Sequence, residues 1–313
     1  MSTIRSIQAP AAVVMVRPHR FASNPETAAD NAYQRVSTDA DAAIVAAAAH
    51  AEVGAAAALL EAEGVTVHLF DDHGERDTPD SVFPNNWFST HPGGHVAIYP
   101  MFSPSRRRER RSDVIELLKA RYRVQDVIDY SGLEPDGVFL EGTGAMVLDH
   151  LARVAYTARS NRADPVALER FCTHFNFEPI AFDTIDRHGR AVYHTNVMMS
   201  VATEFAMVGF DLFTDPRRAE TVRARLHESG REVIALSAQQ IDEFAGNAIE
   251  LSGRDGRLLA LSSRALACLT AAQRRSIERS ARLVALDVPT IETAGGSVRC
   301  MIAGIHLARR SGR

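Results

Sequence analysis

A polar residue recurs just before or within a short apolar run at nearly constant intervals: Asn86, Glu141, His194, Asn247 and Cys300 are separated by 55, 53, 53 and 53 residues. A repeat of about this length means that each unit is one supersecondary block that cannot bury its apolar face alone. The blocks must then pack side by side. If they close around an axis, the five equivalent positions converge, and one ring of polar residues results.

The segments between these markers repeat one order. Val96-Ala97-Ile98-Tyr99 returns from the Asn86 segment through the turn His91-Pro92-Gly93-Gly94-His95, and a helix is predicted over about 105–122. Phe139 to Leu148 with Val154-Ala155-Tyr156 makes a hairpin, followed by a helix over 165–177 and a strand at Ile180-Ala181-Phe182. The pattern returns from His194, with a helix over 215–228, and from Ala248, with a helix over 271–281. The run beginning at Cys300 and ending at Ile305-His306-Leu307 reads as the fifth hairpin. At the start of the chain, Ala11 to Val16 reads as a buried strand, the alanine-rich stretch 39–63 as a helix closed by Gly64, and Val65 to Phe70 as a strand. The expected class is α/β: a fivefold pseudo-symmetric α/β propeller of ββαβ modules, forming one domain over 1–313.

Composition narrows the function. The net charge of −4 gives no general attraction for nucleic acid or anionic lipid. The run Arg106-Arg107-Arg108-Glu109-Arg110-Arg111 is interrupted by an acid and has no interleaved aromatic platform, so it reads as a solvated helix start. One of its arginines could still reach a substrate carboxylate. Met1 to Ala12 lack the pattern of a secretory signal, and no apolar run approaches the roughly 18 residues a membrane helix needs, so a cytoplasmic protein is expected. Its partner is expected to be a small amino-acid substrate, with no nucleic acid and no membrane; a homo-oligomer stays open.

Three cysteines, Cys172, Cys268 and Cys300, form neither a CxxC pair nor an even set, so neither a disulfide framework nor a zinc site is indicated. Cys172 and Cys268 read as small buried hydrophobes. Cys300 differs because Gly295 and Gly296 open the backbone ahead of it and because it keeps register with Glu141 and His194. His91 and His95 are four apart, but Pro92, Gly93 and Gly94 between them deny a helix, so no metal is expected. The other histidines outside the register read as solvated. Gly142-Thr143-Gly144 lacks a third glycine and opens onto a strand, so no dinucleotide cofactor is implied. Asn247 follows a glycine and fits a turn as well as a site, and Trp87 fits core as well as pocket wall.

Five ββαβ units carrying Glu, His and a late Cys resemble the guanidino-group modifying superfamily, the penteins, which include arginine deiminases, amidinotransferases, dimethylarginine hydrolases and succinylarginine dihydrolases. Phe83-Pro84-Asn85-Asn86-Trp87, Glu141-Gly142-Thr143-Gly144 and His194-Thr195-Asn196-Val197 are most similar to citrulline-utilisation hydrolases of the CtlX type. The resemblance implies that Cys300 is the nucleophile and His194 the general acid/base, with Glu141 binding a substrate nitrogen or orienting the histidine. It implies that Arg162 holds the substrate α-carboxylate and that Asp80 and Asn86 sit in the loop facing the substrate's reactive group. Where deiminases place aspartates this chain has Asn86 and Asn196, and Gly144 has no acid either.

That exchange has a chemical meaning. A guanidinium carries only donors and is best met by carboxylates, whereas a neutral ureido group carries a carbonyl oxygen and needs a donor, which asparagine supplies. An unpaired buried polar group costs about 1–3 kcal/mol. Citrulline is therefore the expected substrate, with an arginine deiminase or amidinotransferase as the enzymatic alternative and a catalytically silent binding protein as the other. The developing oxyanion would be met by amides around Gly295-Gly296 or by the asparagine side chains.

Overall fold

A computed structural model describes residues 6–28, 31, 33–34 and 42–310. Fifteen strands among these residues form five three-stranded sheets. Strands β1 (Ala12–Pro18) and β2 (Thr66–Asp72) belong to one, β3 (Phe88–His91), β4 (His95–Ile98) and β5 (Asp126–Asp129) to the next, and β6 (Met146–Asp149), β7 (Val154–Ala158) and β8 (Glu178–Phe182) to the third. β9 (Met199–Val201), β10 (Phe205–Val208) and β11 (Glu232–Ala235) form the fourth, and β12 (Ile249–Gly253), β13 (Gly256–Ser262) and β14 (Arg282–Leu286) the fifth. In each of these last four sheets the first strand pairs antiparallel with the second, as in Phe88↔Ile98 and Met146↔Thr157, and the second pairs parallel with the third across a helix.

The fifth hairpin expected from the sequence is not made within the C-terminal segment. β15 (Ala303–Gly304) pairs antiparallel with β1, Val13↔Gly304 and Val14↔Ala303, and β1 pairs parallel with β2. One blade is thus assembled from both ends of the chain. Closing the ring this way gives β1 a partner on both sides, so it is not an exposed edge strand.

Local chemistry sets the crossover helices. Asp164 caps the helix Pro165–Phe175 by accepting from the Val166 N–H, Pro165 occupies the first turn, and Asn176 ends it in the left-handed region at φ 53°. Asp215 caps Pro216–Glu228 in the same way. The helix Ala42–Ala62 ends where Val65 N–H donates to Leu60 O and Gly64 N–H to Glu61 O, with Gly64 at φ 91°. This helix is long and apolar enough, by length and composition, to cross a membrane, which corrects the expectation that no run approached that length. Alanine is the reason: it is apolar without bulk. Here Val53, Ala57 and Leu60 are buried in a cluster with Val13 and Met15 of β1.

Two further boundaries depart from the sequence reading. The helix expected over 105–122 is two helices, Pro104–Arg107 and Ser112–Arg121. The strands expected from Phe139 and from His194 each begin later, because a single helical turn intervenes: Gly142–Ala145 before β6 and Thr195–Met198 before β9. Similar turns, Pro84–Asn86 and Val298–Met301, precede β3 and β15. Glu141 and His194 stand at the N-terminal ends of their turns, Asn86 closes its turn, Cys300 lies inside the last one, and Asn247 precedes β12 without such a turn.

Candidate active site

The turns meet closely because glycine permits it. A Cβ on Gly142, which sits at φ 47°, would lie 2.5 Å from Asn85 O and 2.8 Å from Asn86 O, and one on Gly246 would lie 2.5 Å from Val197 O. Gly144 is tighter still: its Cβ would lie 2.0 Å from the Asn86 side-chain amide and 2.9 Å from His194 Nδ1. The absence of an acid at Gly144 therefore has a steric cause in this chain.

Glu141 is fully buried and is the electrostatic centre of the site. Its Oε2 lies 2.7 Å from His194 Nε2, 3.4 Å from Arg162 Nη1 and 3.5 Å from Arg106 Nη1, and its Oε1 accepts from the Phe102 N–H at 3.1 Å. Burial alone would raise its pKa, but the Arg162 charge, the His194 hydrogen bond and the Arg106 charge hold it far below the usual carboxylate range. It is an anion, so His194 Nε2 donates, and Nδ1 keeps the ring's lone pair. Burial lowers His194 to about 4 against the opposing pull of Glu141, so the imidazole is neutral at pH 7.

Cys300 is 2% exposed, and two amide groups aim at its sulfur: Asn196 Nδ2 and Asn247 Nδ2, each 3.2 Å from Sγ. Asn247 is held in turn, its Nδ2 also donating to Asn196 O at 2.9 Å and its Oδ1 accepting from the Arg299 N–H at 3.0 Å. Of the two roles open to Asn247 in the sequence, the structure shows the one at the sulfur. The Gly295 N–H already donates to Glu292 O at 3.0 Å, so the donors around Cys300 are side-chain amides rather than that backbone amide.

One pocket is lined by Cys300, His194, Asn86, Asp80, Arg106 and Arg162, together with Asn31 and Tyr193. Glu141 seals it from behind. Asp80 is 4% exposed and accepts from Asn24 Nδ2 at 2.8 Å; burial raises its pKa against the pull of Arg106. Arg162 is 1% exposed, lies 4.9 Å over the Tyr193 ring and bonds Glu141, so it stands beside His194. The Tyr193 hydroxyl donates to Gly295 O at 2.6 Å, which ties the histidine segment to the cysteine segment.

Arg106 corrects the reading of the basic run as a solvated helix start. It is 2% exposed, binds Glu109 through two hydrogen bonds of 2.9 and 3.0 Å, and lies 3.8 Å from Asp80. With its amide oriented to satisfy its neighbours, Asn86 accepts from Arg106 Nη2 at 3.0 Å and Nη1 at 3.2 Å and donates to Asn85 Oδ1 at 3.3 Å. Burial pushes Glu109 up to about 7, against the opposing Arg106 charge. The i, i+3 spacing of Arg106 and Glu109 was the available signal, since such a pair can close on itself inside a protein. Asn24 had none, because it lies before the first repeat.

The remaining singled-out residues divide cleanly. Trp87 is 1% exposed, packs on Phe88 and does not line the pocket. Cys172 is buried in the core, and burial raises its thiol to about 12. His150, among the histidines expected to be solvated, is buried, and so is His91, which packs against Phe175 with ring centroids 4.2 Å apart.

The chain matches the family described as N,N dimethylarginine dimethylhydrolase, eukaryotic, over residues 17–307. No curated protein matches it by sequence. Among solved structures it is similar to the N-terminal domain of ArgZ, an arginine dihydrolase from the ornithine-ammonia cycle in cyanobacteria, bound to product, with a TM-score of 0.72 at 15% identity over 94% of this chain and 97% of that one. The chain spans 40% of the ArgZ chain in its apo structure. AgrE in a ternary complex with ornithine and NAD+ gives a TM-score of 0.71 at 16% identity over 96% of this chain and 40% of that one. A cysteine-to-serine mutant of the dimethylarginine hydrolase DDAH from Pseudomonas aeruginosa, complexed with citrulline, gives 0.61 at 13% identity over 95% and 99%. With the five-bladed α/β fold in common and the family match running over nearly all of the sequence, the chain belongs to the N,N dimethylarginine dimethylhydrolase family of the pentein superfamily.

Proposed function

We propose that residues 1–313 form a single propeller domain that hydrolyses the ureido group of citrulline through a covalent Cys300 intermediate, as in the CtlX-type hydrolases. The observation that carries this is the charge layout of the pocket. Asp80 is the one carboxylate among the described residues lining it, whereas Arg106 and Arg162 both line it. Glu141 and Glu109 are already committed to these two arginines, so a guanidinium would have Asp80 alone to answer its charge, whereas a neutral ureido group needs no further carboxylate. Asn86, bonded to Arg106 through its oxygen, sits where a second carboxylate would otherwise favour a cation.

The neutral His194 takes the Cys300 thiol proton, and the sulfur attacks the ureido carbon. The C–N bond breaks as His194 returns the proton to the departing amine, leaving an S-acyl enzyme. With ornithine gone the enzyme carries an S-carbamoyl group; water attacks its carbon with His194 accepting the proton and passing it to the departing Cys300 sulfur, and the carbamic acid released breaks its remaining C–N bond to give ammonia and carbon dioxide. The net reaction is citrulline plus water to ornithine, ammonia and carbon dioxide. Asn196 and Asn247, already aimed at Sγ, are placed to donate to the oxyanion that develops on the attacked carbon. Glu141 acts as the positioning residue that fixes the His194 tautomer. Arg162 supplies the cationic partner for the substrate carboxylate, with Arg106 as the second cation in reach of the pocket. The helix Ala42–Ala62 packs against the blade and fits a soluble, cytoplasmic setting.

A second reading takes a guanidino substrate, arginine or a methylated arginine, held by Asp80. Purified protein incubated separately with citrulline, arginine and N,N-dimethylarginine distinguishes them. Ornithine from citrulline, lost in Cys300→Ala, is expected; citrulline formed from either guanidino compound would overturn the ureido assignment. An unreactive Cys300 towards iodoacetamide, with no turnover of any of the three, would leave only a binding protein.

A further inference from the structure

The central ring has two faces, and the second face also carries a cavity. It is lined by the inner ends of the blades, through Ser89, Ser200, His150, Arg299, His306 and Glu250, and by no residue of the Cys300 pocket. Three features there are unexplained by the proposed chemistry. Arg299 is half-buried and has no carboxylate within ion-pair distance among the described residues; Nη1 donates only to the Ile302 carbonyl, at 3.0 Å. Ser200 Oγ, on a residue 7% exposed, has no hydrogen-bond partner. His150 Nδ1, on a residue 6% exposed, has none either, although its ring stacks on His306 with centroids 3.9 Å apart.

A cation and four orphaned polar atoms, Ser200 Oγ, His150 Nδ1, His306 Nδ1 and Glu250 Oε1, around one void describe a site short of an acceptor for Arg299 and of a donor for Glu250, both of which the hydroxyl-bearing oxoanions bicarbonate and hydrogen phosphate supply. Leaving such groups unpaired is costly, and a cation without a counter-charge is the most costly of them. Burial lowers the Arg299 guanidinium to about 10, in keeping with a charge that no carboxylate compensates. Burial, with Arg299 among the opposing charges, lowers His306 to about 4 and His150 well below its usual value, so both rings are neutral and add no repulsion to a cation-bearing wall. Glu250 is not the partner of Arg299: its Oε2 accepts from Thr203 N–H and Oγ1 at 2.7 and 2.6 Å, and its Oε1 lies 3.3 Å from Arg257 without a hydrogen bond, so that oxygen calls for a donor on the ligand.

We propose that this axial cavity binds a small oxoanion, of carboxylate, bicarbonate or phosphate type, with Arg299 as its cation and Ser200 as a hydroxyl donor. The guanidinium would supply the planar donor fork that matches two oxygens of such a group. The site lies one residue from Cys300, and the backbone N–H of Arg299 bonds the same Asn247 whose amide touches Sγ. Two faces of the ring are thereby joined through one asparagine.

Isothermal titration with sodium phosphate, and separately with sodium bicarbonate, at fixed ionic strength tests this without reference to turnover. Cys300→Ala protein should show one saturable site for at least one of the two anions. Arg299→Gln should weaken it at least tenfold. Because Arg299→Gln could disturb folding, Ser200→Val is the second variant: it removes a hydroxyl that has no partner, so the thermal midpoint should hold while anion affinity falls several-fold. Absence of saturable binding by both anions, or binding unchanged in both variants, overturns the site. Either result leaves the citrulline assay untouched, so the two readings fail separately.

Discussion

Replacing Gly144 by alanine isolates the packing at the centre of the ring. The new Cβ would lie 2.0 Å from the Asn86 side-chain amide and 2.9–3.0 Å from the His194 ring, both far inside contact distance. Backbone strain does not enter, because Gly144 is not among the positive-φ glycines. In the helical turn Gly142–Ala145 alanine would on its own gain about 0.5–1 kcal/mol over glycine. Against this, overpacking a full core costs about 1–3 kcal/mol. Asn86 can give way only by breaking its bonds to Arg106, and a hydrogen bond to a charged group is worth about 1.5–3 kcal/mol. The net is a loss of about 1.5–5.5 kcal/mol, which at about 2 °C per kcal/mol for a chain of this size lowers the thermal midpoint by about 3–11 °C. Turnover should fall further than stability, by about a hundredfold, because a displacement near 1 Å of an acid/base group has that effect. Gly132→Ala is the control, since a Cβ there meets nothing within 4 Å. Thermal unfolding and ornithine release are measured on both variants at equal concentration. A Gly144→Ala protein as stable and as active as the Gly132→Ala control would refute the packing argument, because Asn86 or His194 would then be free to move.

Acid stability should carry the mark of His194. Its folded pKa, about 4, lies below the ordinary 6.5, so between these values the unfolded chain binds more protons and stability falls as pH drops; Glu141, also depressed, extends the loss below pH 4.5. Glu109, pushed up to about 7, binds its proton earlier when folded and works in the opposite direction between about 4.5 and 7, so the comparison is made against His194→Gln, in which the fall from pH 6.5 to 4 should be shallower; an identical profile would remove the histidine as its source. Arg106→Met should destabilise by about 3–5 kcal/mol, since it strands Glu109 without a counter-charge and leaves Glu141 with Arg162 as its one arginine among the described residues, whereas Arg106→Met with Glu109→Leu should recover part of that loss; equal stability of the single and double variants in urea unfolding would contradict the pairing.

What the sequence made legible is what repeats. A marker every 53 residues is enough to bring Glu141, His194, Asn247 and Cys300 to the centre of the ring, although not to identical positions: Glu141 and His194 cap their turns, whereas Cys300 lies three residues past its cap, Ser297. What breaks the repeat was hidden. Arg106 sits in a helix broken after Arg107, and its burial depends on Glu109, Asp80 and Glu141, which come from three different segments. No local pattern distinguishes it from the exposed Arg108 two residues away. The closing blade is hidden for a similar reason: β15 is two residues long, and only its pairing with β1 makes it a strand.

The same distinction bears on the substrate. Reaction class follows from residues in register, His194 and Cys300, which any hydrolase of this geometry shares. Substrate charge is decided by residues out of register, Asp80, Arg106 and Arg162, and by the one pairing that joins them to the repeat, Asn86 with Arg106. An aspartate at position 86 would meet the same guanidinium, but as a salt bridge that adds a negative charge to the pocket wall. With asparagine there that negative charge is absent, and among the described residues Arg106 is answered only by Glu109, Glu141 and Asp80. The proposed preference for a neutral ureido group therefore rests on the Asn86–Arg106 pair rather than on Asn86 alone, and it is in that pair, outside the repeat, that a change of substrate would have to begin.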